Sequence, residues 1–190
     1  MPNGAWNDRP HDLWNFSDWV SDEYEVSTGW QIFELETKIG GRNAPQHTYQ
    51  LIEAPIQYFT TSDYVTFNDN QIQALRNYIN AGGLLVTNTS GGGDAARTIR
   101  ELSEKLFPNQ ELADVPNDHP FYGVHREVGL GLPLKMIGNH IRPLWLHSQR
   151  DLSRPLQAFD TRSDAFGLLS NIYLYSIGMN PRRTRLGTDH

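Results

Sequence analysis

The alternation of apolar and polar positions divides this chain into helical and extended stretches. Leu13, Phe16, Val20 and Tyr24 recur at helical spacing, with Trp14 and Trp19 widening the stripe. They predict a helix starting near Pro10 behind Asp8 as N-cap. Gly29 ends it, residues 30–35 read as a short strand, and residues 38–46, with Gly40, Gly41 and Pro45, read as a loop. Residues 47–54 predict a helical turn that Pro55 terminates, and residues 56–61 a strand rich in β-formers. Asn68 and Gln71 make a capping box, from which Ile72, Leu75 and Ile79 run on one face to Gly82 and Gly83. Leu84, Leu85 and Val86 are too continuous for a half-exposed strand and predict the centre of a parallel sheet.

Asp94 reads as the cap of the next helix, with Ala95, Ile99, Leu102 and Leu106 inward and Arg97, Glu101 and Lys105 paired on the outer face. Beyond Pro108 the pattern loosens. Residues 118–123 read as a turn, residues 144–147 as a strand, and residues 164–178 as a final helix capped by Ser163. Strands alternating with helices predict an α/β sandwich with a mainly parallel sheet. The expected organisation is one α/β domain over residues 1–180 and a C-terminal tail over 181–190, where Arg182, Arg183 and Arg185 form a solvated basic cluster.

Composition narrows the function classes. A net charge of -6 argues against nucleic-acid binding, which needs a basic footprint. With no cysteine, disulfides, thiolate metal sites and thiol catalysis are excluded. No apolar stretch approaches the roughly 20 residues that cross a bilayer, so membrane insertion is not expected. Residues 1–6 carry no apolar leader core; an exported or periplasmic protein would have its leader outside this chain.

In parallel α/β sheets ligands gather at the carboxyl ends of strands, which directs attention to Thr61, Ser62 and Asp63 and to Asn88, Thr89, Ser90, Gly91 and Gly92. Glycines 91–93 open a helix with unobstructed amides that suit an anion or a developing oxyanion, although no P-loop lysine follows. Ser90 occupies an elbow position, but lacks the glycine two residues before it that a strained elbow needs. His119 follows Asp118, yet neighbours in an extended segment point to opposite faces. His119, His125, His140 and His147, with Asp63 or Asp151, show no metal-ligand spacing, so no metal and no cofactor are expected. Of the tryptophans 6, 14, 19, 30 and 145, four crowd the N-terminal region. They suit either a platform for a sugar or partner, or the packing of the first helix on the sheet.

Several segments together resemble a bacterial family catalogued as domain of unknown function 4159. They are Trp6-Asn7 with Arg9-Pro10, residues 75–79 running into 81–85, Leu106-Phe107-Pro108, Asp118-His119-Pro120, and residues 171–175. The resemblance implies a flavodoxin-like three-layer sandwich similar to class I glutamine amidotransferases and ThuA-like proteins, often encoded with an export signal. It also implies acidic or cysteine-containing residues where this chain has Asn88, Thr89 and Ser90, and a Gly-His where it has Thr61, Ser62 and Asp63. Members of the family begin with a strand just ahead of the Trp-Asn segment, so a first strand is expected to be missing or supplied from elsewhere.

The leading expectation is therefore a non-catalytic binding module. Its strand-end rim would recognise a small polar or carbohydrate-like ligand or a partner protein. The alternative is a hydrolase on a sugar or amide derivative, with Asp63 or His119 as general base on a water and the Gly91 and Gly92 amides holding the oxyanion. A third reading is an assembly subunit or homo-oligomer, since an open parallel edge invites pairing.

Overall fold

The computed structural model describes residues 9–32, 35, 53–129 and 131–178. The expectations for Trp6-Asn7, Asp8, residues 38–52 and the tail 181–190 lie outside that set. Helix α1 (Asp12–Tyr24) leads to strand β1 (Ile56–Thr61), helix α2 (Asp69–Asn80), strand β2 (Leu84–Thr89) and helix α3 (Gly93–Leu106). Strands β3 (Ala113–Asp114), β4 (Leu134–Gly138) and β5 (Pro143–Ser148) follow, then helices α4 (Ser153–Gln157) and α5 (Asp164–Gly178). A 3-10 turn, Pro120–Tyr122, precedes β4.

The strands form one five-stranded sheet in the order β1-β2-β5-β4-β3. β2 is parallel to both β1 and β5, so the apolar run at residues 84–86 does sit in a parallel centre. The far side is antiparallel, through β5 with β4 and β4 with β3. Alternating residues of β2 feed two cores, one on each face. Leu85 joins α2 and α3 through Leu75, Ile79, Ile99 and Leu102, while Leu84 and Val86 join α4 and α5 through Leu156, Phe166 and Leu169. Phe16 and Trp19 of α1 pack on the second core, Trp19 edge-on to Phe166 at 5.0 Å.

Local signals set several boundaries. Asn68 and Gln71 form the full capping box, each side chain bonding the other's backbone amide at 2.9 Å. Gly82 turns the chain out of α2 at φ 109, and Gly83 is required because a Cβ there would lie 2.2 Å from the Tyr78 ring. Ser163 Oγ accepts from Ala165 N as the last helix begins.

Three expectations are corrected. Gly92, not Asp94, occupies the N-cap of α3; Asp94 lies inside the first turn, where its negative charge complements the positive end of the helix dipole. Trp30, Gln31, Ile32 and Leu35 carry no strand, because no described strand pairs with them and β-propensity alone supplies no ladder. The outer face of α3 pairs Arg97 with Glu101 at 2.9 Å, but Lys105 turns away to bond the Phe67 carbonyl.

Candidate functional site

Register aligns Thr61 with Thr89, so the carboxyl ends of β1 and β2 lie side by side and the expected rim is assembled. Most of its polar side chains are engaged within the fold. Thr61 is buried and its Oγ1 bonds both the carbonyl and the amide of Asp63. Asn88 is fully buried. Its Nδ2 donates to Thr60 Oγ1 and Ser153 Oγ, and its Oδ1 accepts from Leu152 N at 3.0 Å. Thr89 is buried, Ser90 is half-buried with its amide on Thr61 O, and Asp63 and glycines 91–93 are exposed. Gly91 packs against the turn after β1: a Cβ on it would meet the Ser62 carbonyl at 2.2 Å. Backbone approach therefore already explains that glycine.

The histidines stand elsewhere. His119 packs on Phe121 and Tyr175 beside α5, with Nδ1 accepting from Phe121 N, and burial lowers its pKa. Asp63 is held from the opposite face of the sheet, where Thr98 Oγ1 of α3 bonds its carbonyl. The structure thus does not bring Asp63 and His119 together. His147 is buried near the carboxyl end of β5, where its Nδ1 lies 3.0 Å from Thr87 Oγ1, which also accepts from Trp145 Nε1 at 2.8 Å. Burial pushes the His147 imidazole down to about 4, so it is neutral at pH 7. Neither imidazole is placed to activate Ser90. Among the described residues no three His, Asp or Glu side chains group as a metal site.

A deep concavity lies along the outer edge of β1. It is a cleft of about 540 Å³ lined by α1 residues Leu13 and Phe16, by Trp30 and Ile32, and by Tyr58 and Phe59 of the strand. Its floor reaches both cores, touching Phe67 and Leu75 on one face of the sheet and Leu169 on the other. Leu84 N donates to Pro55 O and Ser90 N to Thr61 O, which turns the odd-numbered residues of β1 towards β2. The backbone groups of Ile56, Tyr58 and Thr60 therefore face the cleft. Among the described residues no strand pairs with that edge.

A buried polar network borders the same cleft. Tyr58 Oη lies 2.7 Å from Ser153 Oγ at the start of α4. Asp12, only 6% exposed, lines the cleft; its Oδ1 accepts from Leu13 N at 2.6 Å, and its Oδ2 has no partner among the described residues. Burial raises its carboxyl pKa, against stabilisation of the charged form by Ser153 and Leu13 N. Arg9, the nearest cation, is bonded to Asp151. Sequence reasoning missed this network because Asp12 reads as an ordinary first-turn acid, and its burial depends on an element far along the chain.

The tryptophans divide. Trp19 packs α1 on the second core and Trp145 is fully buried, whereas Trp14 (54% exposed) and Trp30 (36%) stay at the surface, Trp30 on the cleft wall.

The family model described as a domain of unknown function, DUF4159, matches residues 2–170. The chain belongs to that family. Among curated proteins none matches it. Two of the family-like segments meet in space where His119 packs on Tyr175; beside them, Asn171 Nδ2 donates to the carbonyls of Phe121 and Arg126, and its Oδ1 accepts from the amides of His125 and Arg126. Asn171 thereby staples the 3-10 turn, through Phe121, and the chain after it to α5. No helix among the described residues is long and apolar enough to cross a membrane.

Proposed function

We propose that this domain is a non-catalytic binding module that accepts an extended segment of a partner protein along the outer edge of β1. The observation that carries this reading is the shape of the cleft. It is floored by a strand edge and opens onto both cores, so an inserted strand would place alternate side chains into each. The volume of about 540 Å³ falls within the range of formed binding sites. The same edge supports the assembly-subunit reading, with a second copy as the partner.

A small polar or carbohydrate-like ligand at the strand-end rim is a second reading, favoured by the exposed amides of residues 91–93 and by exposed Asp63. The hydrolytic reading draws no support from the geometry, since Asp63 and His119 belong to opposite faces. A relationship of the fold to flavodoxin-like, amidotransferase-like and ThuA-like proteins is supported by the parallel β1-β2-β5 centre. The antiparallel β4 and β3 are a departure from an all-parallel sheet.

The test is an NMR titration of the protein with a capped peptide of about eight residues, rich in valine and leucine with one central lysine. Saturable shifts confined to β1, Leu13, Phe16 and residues 30–32 are expected. Shifts confined to residues 61–63 and 89–93, or none at all, would overturn the reading.

A further inference from the structure

We infer that the cleft selects a partner segment carrying a cationic side chain, lysine or arginine, whose head group binds Asp12 Oδ2. This rests on the reading of the cleft as a partner site and adds the chemistry that distinguishes one partner from another.

An ionised carboxylate on a residue only 6% exposed is costly unless every acceptor is used. Asp12 has one oxygen engaged by Leu13 N and a second, Oδ2, without a partner among the described residues, and the residue lines the cleft. The neighbouring Ser153 hydroxyl stabilises the charged form but, being neutral, does not compensate its charge. Arg9 is committed to Asp151, so Asp12 and Asp151 share one guanidinium and the group is one positive charge short. The Tyr58 hydroxyl is turned to Ser153, whose Oγ also receives Asn88 Nδ2.

The charge of the cleft points the same way. Among the described residues that line it, Asp12 and Glu53 are the charged ones, and both are acidic. A cation entering here meets attraction from both carboxylates, and the low dielectric strengthens its bond to Asp12.

Register places the contact. Tyr58 shares the face of Ile56 and Leu169, the face on which α1 packs, and directly opposed residues of paired strands put their side chains on one face. The residue of the partner segment opposite Tyr58 is therefore the one that carries the charge. Its neighbours on either side enter the other core, against Phe67 and Leu75, and are apolar.

Two capped peptides of about eight residues, identical except for a central lysine or its neutral isostere norleucine, are titrated calorimetrically against the wild-type protein and Asp12→Asn. The lysine peptide is expected to bind the wild type about tenfold or more tightly than the norleucine peptide, and the difference should vanish in Asp12→Asn. Equal binding of both peptides to the wild type would overturn the cationic selectivity while leaving the strand-accepting cleft intact. Binding of neither would overturn both. The wild-type comparison needs no variant, so a folding defect in Asp12→Asn leaves the inference open to refutation.

Discussion

Tyr58 Oη lies 2.7 Å from Ser153 Oγ, tying the middle of the edge strand β1 to the first turn of α4. Asn88 Nδ2 reaches the same hydroxyl, and Asp12 is stabilised by it, so β1, β2, α1 and α4 meet at one serine. Tyr58→Phe removes one member of this group without opening a cavity. A loss of about 1 kcal/mol in unfolding free energy is expected. Chemical denaturation measures it, and an unchanged midpoint would mean that the Tyr58 bond contributes nothing.

Gly83→Ala is expected to destabilise by about 2 kcal/mol or more, because the new methyl would overlap the Tyr78 ring, itself fixed by bonds from its hydroxyl to the Ala54 and Leu84 carbonyls. Gly93→Ala faces open space in the first turn of α3, and should be neutral or stabilising by about 0.5 kcal/mol. Thermal melts of the two variants should therefore move apart. Similar melting temperatures would contradict the packing assigned to Gly83.

Asn171 satisfies both amide hydrogens and accepts two backbone amides from the turn after Phe121. Replacing it with alanine removes four hydrogen bonds and leaves the buried Phe121 carbonyl without this donor, at an expected cost of about 2 kcal/mol. Near-UV dichroism should show the aromatic group of Phe121, His119 and Tyr175 loosening. A variant with wild-type stability would refute the staple.

The fold was legible where its causes are local. The Asn68–Gln71 box and the two apolar runs of β1 and β2 name themselves, because each is decided by neighbours in sequence. β3 and β4 were not legible. Ala113 and Asp114 are exposed and exist as a strand through pairing with Met136 and Lys135, a choice made by tertiary contact. The glycine turn after β2 was correctly placed at a strand end. The need for Gly91, however, comes from the Ser62 carbonyl of another segment, which no local pattern reveals. Asp12 escaped for the same reason: its burial is a property of the cleft wall.

His147 and Asp12 give stability opposite dependences on pH. The folded pKa of His147 is depressed from 6.5 to about 4, so the unfolded chain binds more protons between those values and stability rises with pH across that window. The full effect is on the order of 3 kcal/mol, present above about 6.5 and lost by about 4. Asp12 has a raised folded pKa, so its contribution is present below about 3.9 and is lost as pH rises through the folded value. Urea unfolding of His147→Gln at pH 4.5 and 7 should show a flatter pH dependence than the wild type, and an identical slope would contradict the buried neutral imidazole. Asp12→Asn should gain about 1 kcal/mol at pH 7 by removing a buried unpaired charge. A loss at pH 7 would show that the charge is compensated in the free protein.

The most direct measurement is amide hydrogen exchange along β1, free and saturated with the lysine peptide. Phe59 donates towards β2 and should be protected in both states, whereas Tyr58 and Thr60 should exchange freely in the isolated protein and slow about tenfold or more on binding. If Tyr58 and Thr60 are as protected as Phe59 before any peptide is added, or stay unchanged at saturation, the edge of β1 is not the partner site.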